Sequence, residues 1–321
     1  MQIQRIAIPA SFFSVVLGLV GLGNGWRLAH SLWGCPQMLG EAIHATAIAV
    51  WLLLLSLYGL KWLQAPDAAK AEMRHGVQGN FVVLVPISTM LIAGSLCPLS
   101  QGVAKPVFLL GLVAWLLLAL WRGGRSIRRG VAVGATTHAL YLPWVAGNFS
   151  AAIASNTLGW TGWDQMFFGA GVLSWLVLES VVLHHLMTVE SLPATLRGTF
   201  GIQLAPPAVG LVAYLAVAPD PSTLVVHMLL GYALLQAALL VRLLPWLCAQ
   251  GWSMSYWSVS FGATGLAVGV QRWLAHGAAP SPAASLASPL FYLANGVVAL
   301  LLIGSVWELL RFQRAGQGSP A

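Results

Sequence analysis

The stretch Val113-Ala-Trp-Leu-Leu-Leu-Ala-Leu120 is apolar on every side. A helix in water needs a polar face, whereas one that is hydrophobic all round belongs in lipid or in a protein interior. Val50–Leu55 reads the same way. A transmembrane barrel would alternate polar and apolar residues along each strand, and these runs do not. Outward from Val113, the chain offers ten stretches near the ~20 apolar residues that a helix needs to cross a bilayer. They fall at 8–30, 39–63, 78–97, 104–122, 141–158, 163–187, 196–218, 222–244, 253–276 and 286–312. They consume most of the 321 residues, so one membrane domain, 1–321, is expected and no soluble catalytic domain. Composition agrees: 58% of residues are hydrophobic, only 7% are charged, and the mean hydropathy is +0.81. A soluble domain carries about a quarter of its residues charged. The first span is too long for a signal-peptide core and lacks a small-residue cleavage site, so it is expected to remain.

The alternate spans share a local feature. A small or polar residue precedes phenylalanine in Ser11-Phe12-Phe13-Ser14, Gly79-Asn80-Phe81, Gly147-Asn148-Phe149, Gly198-Thr199-Phe200 and Ser260-Phe261-Gly262. Three of these odd spans also hold an internal proline: Pro86, Pro143, and Pro206 with Pro207. The even spans hold none until Pro245, at the end of the eighth. Short connections after spans 1, 3, 5 and 7 make neighbours antiparallel, giving five helical hairpins in sequence. Odd spans of one kind and even spans of another predict a quasi-five-fold, all-α membrane protein with the odd helices around a central pore. Each proline removes a backbone donor and frees a carbonyl, which helices facing a water-filled axis can tolerate. Ordinary kinks packed against a neighbour are the alternative. Glycines 18, 21, 23 and 25, and 262, 265 and 269, predict close helix packing.

The basic residues orient the chain. Arg5, Lys61, Lys70, Arg74, Arg122, Arg125, Arg128, Arg129, Arg197, Arg242, Arg311 and Arg314 lie on the side of the termini, against Arg27, Lys105 and Arg272 on the other. Both termini are therefore expected in the cytoplasm. The net charge of +7 is a topology signal with contact to membrane lipids, not a nucleic-acid surface. Cys35 and Cys97 fall on the outer side, where a disulfide or two free thiols are both open. Ala278–Pro289 and Arg314–Ala321 read as flexible.

Chemistry is sparse. Glu179 is the one carboxylate well inside a span, but it belongs to an even helix and suits a structural hydrogen-bonding role. The eight histidines do not assemble a facing pair for haem. No hydrolase, phosphate-loop or zinc-protease motif occurs, so no enzyme activity, metal or cofactor is expected. Phe261, flanked by Ser260 and Gly262, is the best candidate for a ring that blocks a pore axis by sterics and dewetting. Core packing is the competing role.

Tyr141-Leu-Pro-Trp-Val-Ala-Gly-Asn-Phe-Ser150, Met166-Phe-Phe-Gly-Ala-Gly171, Gly201-Ile-Gln-Leu-Ala-Pro206, Leu84-Val-Pro-Ile-Ser-Thr-Met90, Leu243-Leu-Pro-Trp246 and Ser258-Val-Ser-Phe-Gly262 resemble, in order, the tellurite-resistance/dicarboxylate transporter family, which includes plant slow anion channels. The resemblance implies a homotrimer in the plasma (bacterial inner) membrane, each protomer holding its own pore. It implies passive flow of small inorganic anions such as chloride and nitrate. The family's phenylalanine gate in the ninth helix carries onto Phe261, with Phe13, Ser14, Phe81, Pro86, Pro143, Phe149, Phe200, Pro206 and Gly262 as expected pore lining. Ser14 stands where the family has glycine, and Gln203 where it has an apolar residue. The alternative is a proton-coupled transporter or exporter of tellurite, dicarboxylates or cationic drugs, which needs an ionisable residue on the pathway. A membrane protein with no transport role would leave the odd–even pattern unexplained.

Overall fold

The structure, a computed structural model, describes residues 8–130, 135–188, 192–277 and 282–317. Arg5 and the segments 278–281 and 318–321 lie outside them. Described residues 282–317, expected in part to be flexible, are mostly helical: Pro282–Ser285 forms one turn and the last helix runs Ala287–Gln317.

Among the described residues the secondary structure is entirely helical. The principal α-helices are α1 (Ser14–Trp33), α2 (Gln37–Gln64), α3 (Leu84–Leu96), α4 (Gln101–Arg129), α5 (Gly147–Thr157), α6 (Trp163–Thr188), α7 (Ala205–Val217), α8 (Thr223–Leu247), α9 (Ser260–Ala275) and α10 (Ala287–Gln317). Eight helical stretches among the described residues are long and apolar enough to cross a membrane, and they coincide with eight of the ten expected spans. The other two expected spans, 141–158 and 253–276, are also largely helical. The chain is a multi-pass helical membrane protein.

Burial sorts the helices. The stretch Ala194–Val217, ending in α7, has 89% of its most apolar window buried, whereas α6 has 17%. Contacts give the reason. α1 packs on α3, α3 on α5, α5 on α7, α7 on α9, and α9 returns to α1. Each even helix covers the odd one before it and touches the odd one after it, with α10 reaching back to α1. The odd helices thus have protein on all sides. The even helices bury only a stripe, in α4 the residues Ala104, Phe108, Gly111, Trp115 and Ala119 at spacings of three and four.

Every odd helix is preceded by a separate short segment, and four of the five are wound differently from α. A 3₁₀ turn, Ala10–Phe13, leads into α1; a short helix, Gln78–Phe81, leads into α3; a π turn, Leu142–Ala146, leads into α5. The 3₁₀ segments Ala194–Leu204 and Met254–Val259 lead into α7 and α9. The recurrent phenylalanines lie at or near these changes of winding. The prolines do as well, which corrects the expected mid-helix kinks. Pro206 and Pro207 are in the first turn of α7, Pro86 is in the first turn of α3, and Pro143 opens the π turn. In a first turn the missing N–H has no helical partner to lose, so the ring is tolerated without breaking the helix. Pro106 adds a second correction: α4 begins at Gln101, which puts this proline inside an even helix. The residue four before it, Gly102, is exposed.

Candidate functional site

The five lead-in segments converge on one cavity of about 90 Å³. Its wall takes residues from each: Ser11 and Ser14, Phe81 and Leu84, Tyr141 and Phe149, Thr199 and Pro206, Ser258 and Phe261. Because all five contribute N-terminal residues to the same space, the odd helices run parallel and present the positive ends of their dipoles to it. A second void of about 30 Å³ lies farther along them, lined by residues including Val20, Asn24, Leu91, Ile153 and Val268. Phe261 and Val209 line both voids and so form the partition between them.

Exposure separates the five phenylalanines. Phe13 and Phe149 are 0% exposed, Phe81 is 5% and Phe200 is 7%, whereas Phe261 is half-buried. Phe13 turns to the outer ring and meets Tyr58 of α2 edge-on at 6.0 Å. Phe200 meets the buried His138 ring edge-on at 4.7 Å. Phe149 borders the cavity but is held against Phe168 of α6 and the glycines Gly171 and Gly210. Of the expected lining, Ser14, Phe81, Phe149, Pro206 and Phe261 meet at the larger cavity. Phe13, Pro86, Pro143, Phe200 and Gly262 line neither void. The Pro143 carbonyl accepts from Trp115 Nε1 of α4 at 2.9 Å, and a Cβ on Gly111 of α4 would lie 2.9 Å from the Pro86 carbonyl oxygen. Gly262 faces Leu204, so it serves the α7–α9 contact.

The cavity carries no fixed charge: among the described residues no Asp, Glu, Lys or Arg lines either void. Several hydroxyls border it, and four of them have committed protons. Ser14 Oγ donates to the Ser11 carbonyl at 2.7 Å, Thr199 Oγ1 to Leu196 at 2.6 Å, and Ser258 Oγ to Gly198 at 2.6 Å. Tyr141 donates its hydroxyl to Glu179 Oε2 at 2.7 Å. The five aligned helix dipoles favour negative charge there, each worth about 0.3–1 kcal/mol near a surface. That sum is small against the ~20 kcal/mol idealised cost of stripping an ion bare in a low-dielectric interior. The larger void has room for several water molecules.

Glu179 of α6 organises the wall from behind. Besides Tyr141 it accepts from Trp175 Nε1 at 2.8 Å, Gln203 Nε2 at 2.7 Å and the Tyr232 hydroxyl. One carboxylate thus ties together the lead-ins of α5 and α7 with α6 and α8. Gln203, a polar residue where an apolar one was expected, is fully buried and turned away from the cavity toward Glu179. Tyr141, Val209 and Asn24 were not among the expected lining residues. Val209 had a signal in its position one turn after Pro206, and Asn24 in being polar within an apolar glycine-rich run. The cysteines Cys35, Cys97 and Cys248 are free, and Cys97 Sγ lies 3.4 Å from the Thr157 carbonyl.

A profile of the SLAC1 family, described as voltage-dependent anion channels, matches residues 7–306. A tellurite resistance protein TehA homolog of Haemophilus influenzae is 31% identical over 95% of this chain and 92% of its own. The S-type anion channels SLAH3 and SLAH4 of Arabidopsis thaliana are 24% and 23% identical over 83% and 82% of this chain. The match takes in 43% of SLAH3 and 73% of SLAH4.

Proposed function

We propose, because this chain belongs to the SLAC1 family of voltage-dependent anion channels, that it is a passive channel for small monovalent anions such as chloride and nitrate. In this reading all ten expected spans cross the membrane as five hairpins. The odd helices line a pore, and both termini are cytoplasmic in a bacterial inner membrane. The protomer assembles as a homotrimer with three separate pores. Phe261 is the gate.

The observation that carries the reading is the position of Phe261 between two voids inside one ring of parallel helices. A bulky apolar ring there excludes water as well as ions, and an unhydrated constriction is closed. Five positive helix ends around the larger void favour anions over cations at its level. With no charged residue on the path, binding is weak and release fast. A proton-coupled carrier would need a titratable group on the pathway. Glu179, behind the wall, already accepts four hydrogen bonds.

The test is voltage clamp of wild type and Phe261→Ala in mixed chloride, nitrate and gluconate, with surface expression measured in parallel. The expected outcome is near-silent wild type and a large chloride and nitrate current in the variant. Equal leak-level currents from two well-expressed proteins would overturn the gate.

A further inference from the structure

Outside the ring, the wall between α8 and α10 does not close. The two helices leave a groove of about 390 Å³ whose floor is the back of the inner ring. Gly198 and Gly201 form it on the α7 side, and Val259 and Ala263 on the α9 side. Its sides are leucines and valines of α8 and α10, with Trp252 and Tyr256 at the end nearest the lead-in segments. Lipid tails are as apolar as leucine, so such a recess in a membrane wall fills with hydrocarbon at little cost.

Two polar groups, one in the groove wall and one a residue away from it in the chain, are not explained by hydrocarbon. The indole Nε1 of Trp252 and the Nε of Arg197 are buried without an acceptor. Arg197 precedes the groove residue Gly198 in the chain, and its guanidinium stacks 4.6 Å over Trp246, which precedes the groove residue Leu247. Arg242, between the groove residues Val241 and Leu244, is exposed. A buried donor without a partner is costly, and an anionic acceptor at the mouth would relieve it.

We propose that this groove binds one acyl chain of an anionic phospholipid from the surrounding bilayer, with its phosphate held by Arg197 and Arg242. Tail and head chemistry are then both accounted for: an apolar trough, and two cations beside orphan N–H groups at its end. Val259 and Ala263 flank Phe261 two residues away on either side, so the tail supports the back of the helix that carries that ring. The consequence for conduction rests on reading Phe261 as the gate; the binding itself does not.

Native mass spectrometry of the purified protein exchanged with dioleoylphosphatidylglycerol or dioleoylphosphatidylcholine tests binding without reading current. Wild type is expected to retain one phosphatidylglycerol per protomer in preference to phosphatidylcholine. Ala237→Trp, which fills the groove from α8, abolishes that retention, and the milder Ala237→Leu reduces it with the melting temperature held. Arg197→Gln cuts the preference about fivefold, the worth of one cation at an anionic surface. Equal retention of the two lipids by wild type, or unchanged retention in both Ala237 variants, would overturn the site. A change of oligomeric mass in Ala237→Trp would assign the groove to a second copy of the chain and overturn it too.

Discussion

Phe261 and Phe149 both border the larger cavity, yet substitution should affect them in opposite ways. Phe149 is fully buried against Phe168, Gly171 and Gly210. Its truncation leaves a void inside a packed wall, and Phe149→Ala is expected to lose about 3–5 kcal/mol of stability without gaining current. Phe261 has open space on two sides, so Phe261→Ala should open conduction at a smaller cost. Thermal melts in detergent beside voltage clamp check the contrast, and current from Phe149→Ala would break it. Glu179 supplies a second prediction. Glu179→Leu strands the Tyr141, Gln203, Trp175 and Tyr232 donors, each at about 1–3 kcal/mol where burial holds them from water. The variant should melt well below wild type, and Glu179→Gln, which keeps one acceptor oxygen, should fall between. Indistinguishable melts would remove Glu179 as the tie behind the cavity. The candidate site was legible only in part at this scale. The small-residue–Phe motif located the right level in each odd span but not the direction of each ring, because that depends on which neighbour offers a hole.

Between elements, the least forgiving contacts set glycine against backbone. A Cβ on Gly201 would sit 2.7 Å from the Val259 amide nitrogen and 2.9 Å from its Cα. Two backbones cannot rotate out of the way as a side chain can, so the lead-in of α7 would be forced off that of α9. Gly201→Ala is expected to cost about 1–3 kcal/mol, the usual range for overpacking. Gly94 of α3 has nothing within 4 Å of its would-be Cβ. There Gly94→Ala should be neutral or slightly stabilising through helix propensity. Melting of the pair in one detergent checks this, and equal shifts would contradict the packing. Glycines 18, 21, 262, 265 and 269 were readable from sequence as packing faces, and the structure sets them against neighbouring odd-helix segments. The changes of winding were not readable. Prolines taken for kinks turned out to lie in the first turns of α3 and α7 and in the π turn before α5, because a hydropathy pattern reports no difference between 3₁₀, π and α turns.

For the whole molecule, the distribution of basic residues predicts that the C-terminal end of α4, which carries Arg122, Arg125, Arg128 and Arg129 in helix rather than in a loop, faces the cytoplasm. In a background lacking Cys35, Cys97 and Cys248, Arg125→Cys should resist a membrane-impermeant thiol reagent on intact cells and react after permeabilisation. Labelling from outside would invert the topology. The trimer is a separate expectation. Crosslinking in native membranes and mass measurement in mild detergent should both give three protomers, and a monomer in both would remove it.

The sequence by itself determined that this is a helical membrane chain, roughly where its spans lie and which family it belongs to. Those properties follow from composition, span length and short specific strings. Only the tertiary structure decided which face of each helix meets protein and which is left for lipid. Both faces of α4 are apolar, and nothing in its hydropathy marks Ala104, Phe108, Gly111, Trp115 and Ala119 as the buried stripe. In water, polarity separates the inside from the outside of a fold. In a bilayer that contrast is absent, and close packing of small and large side chains makes the choice instead.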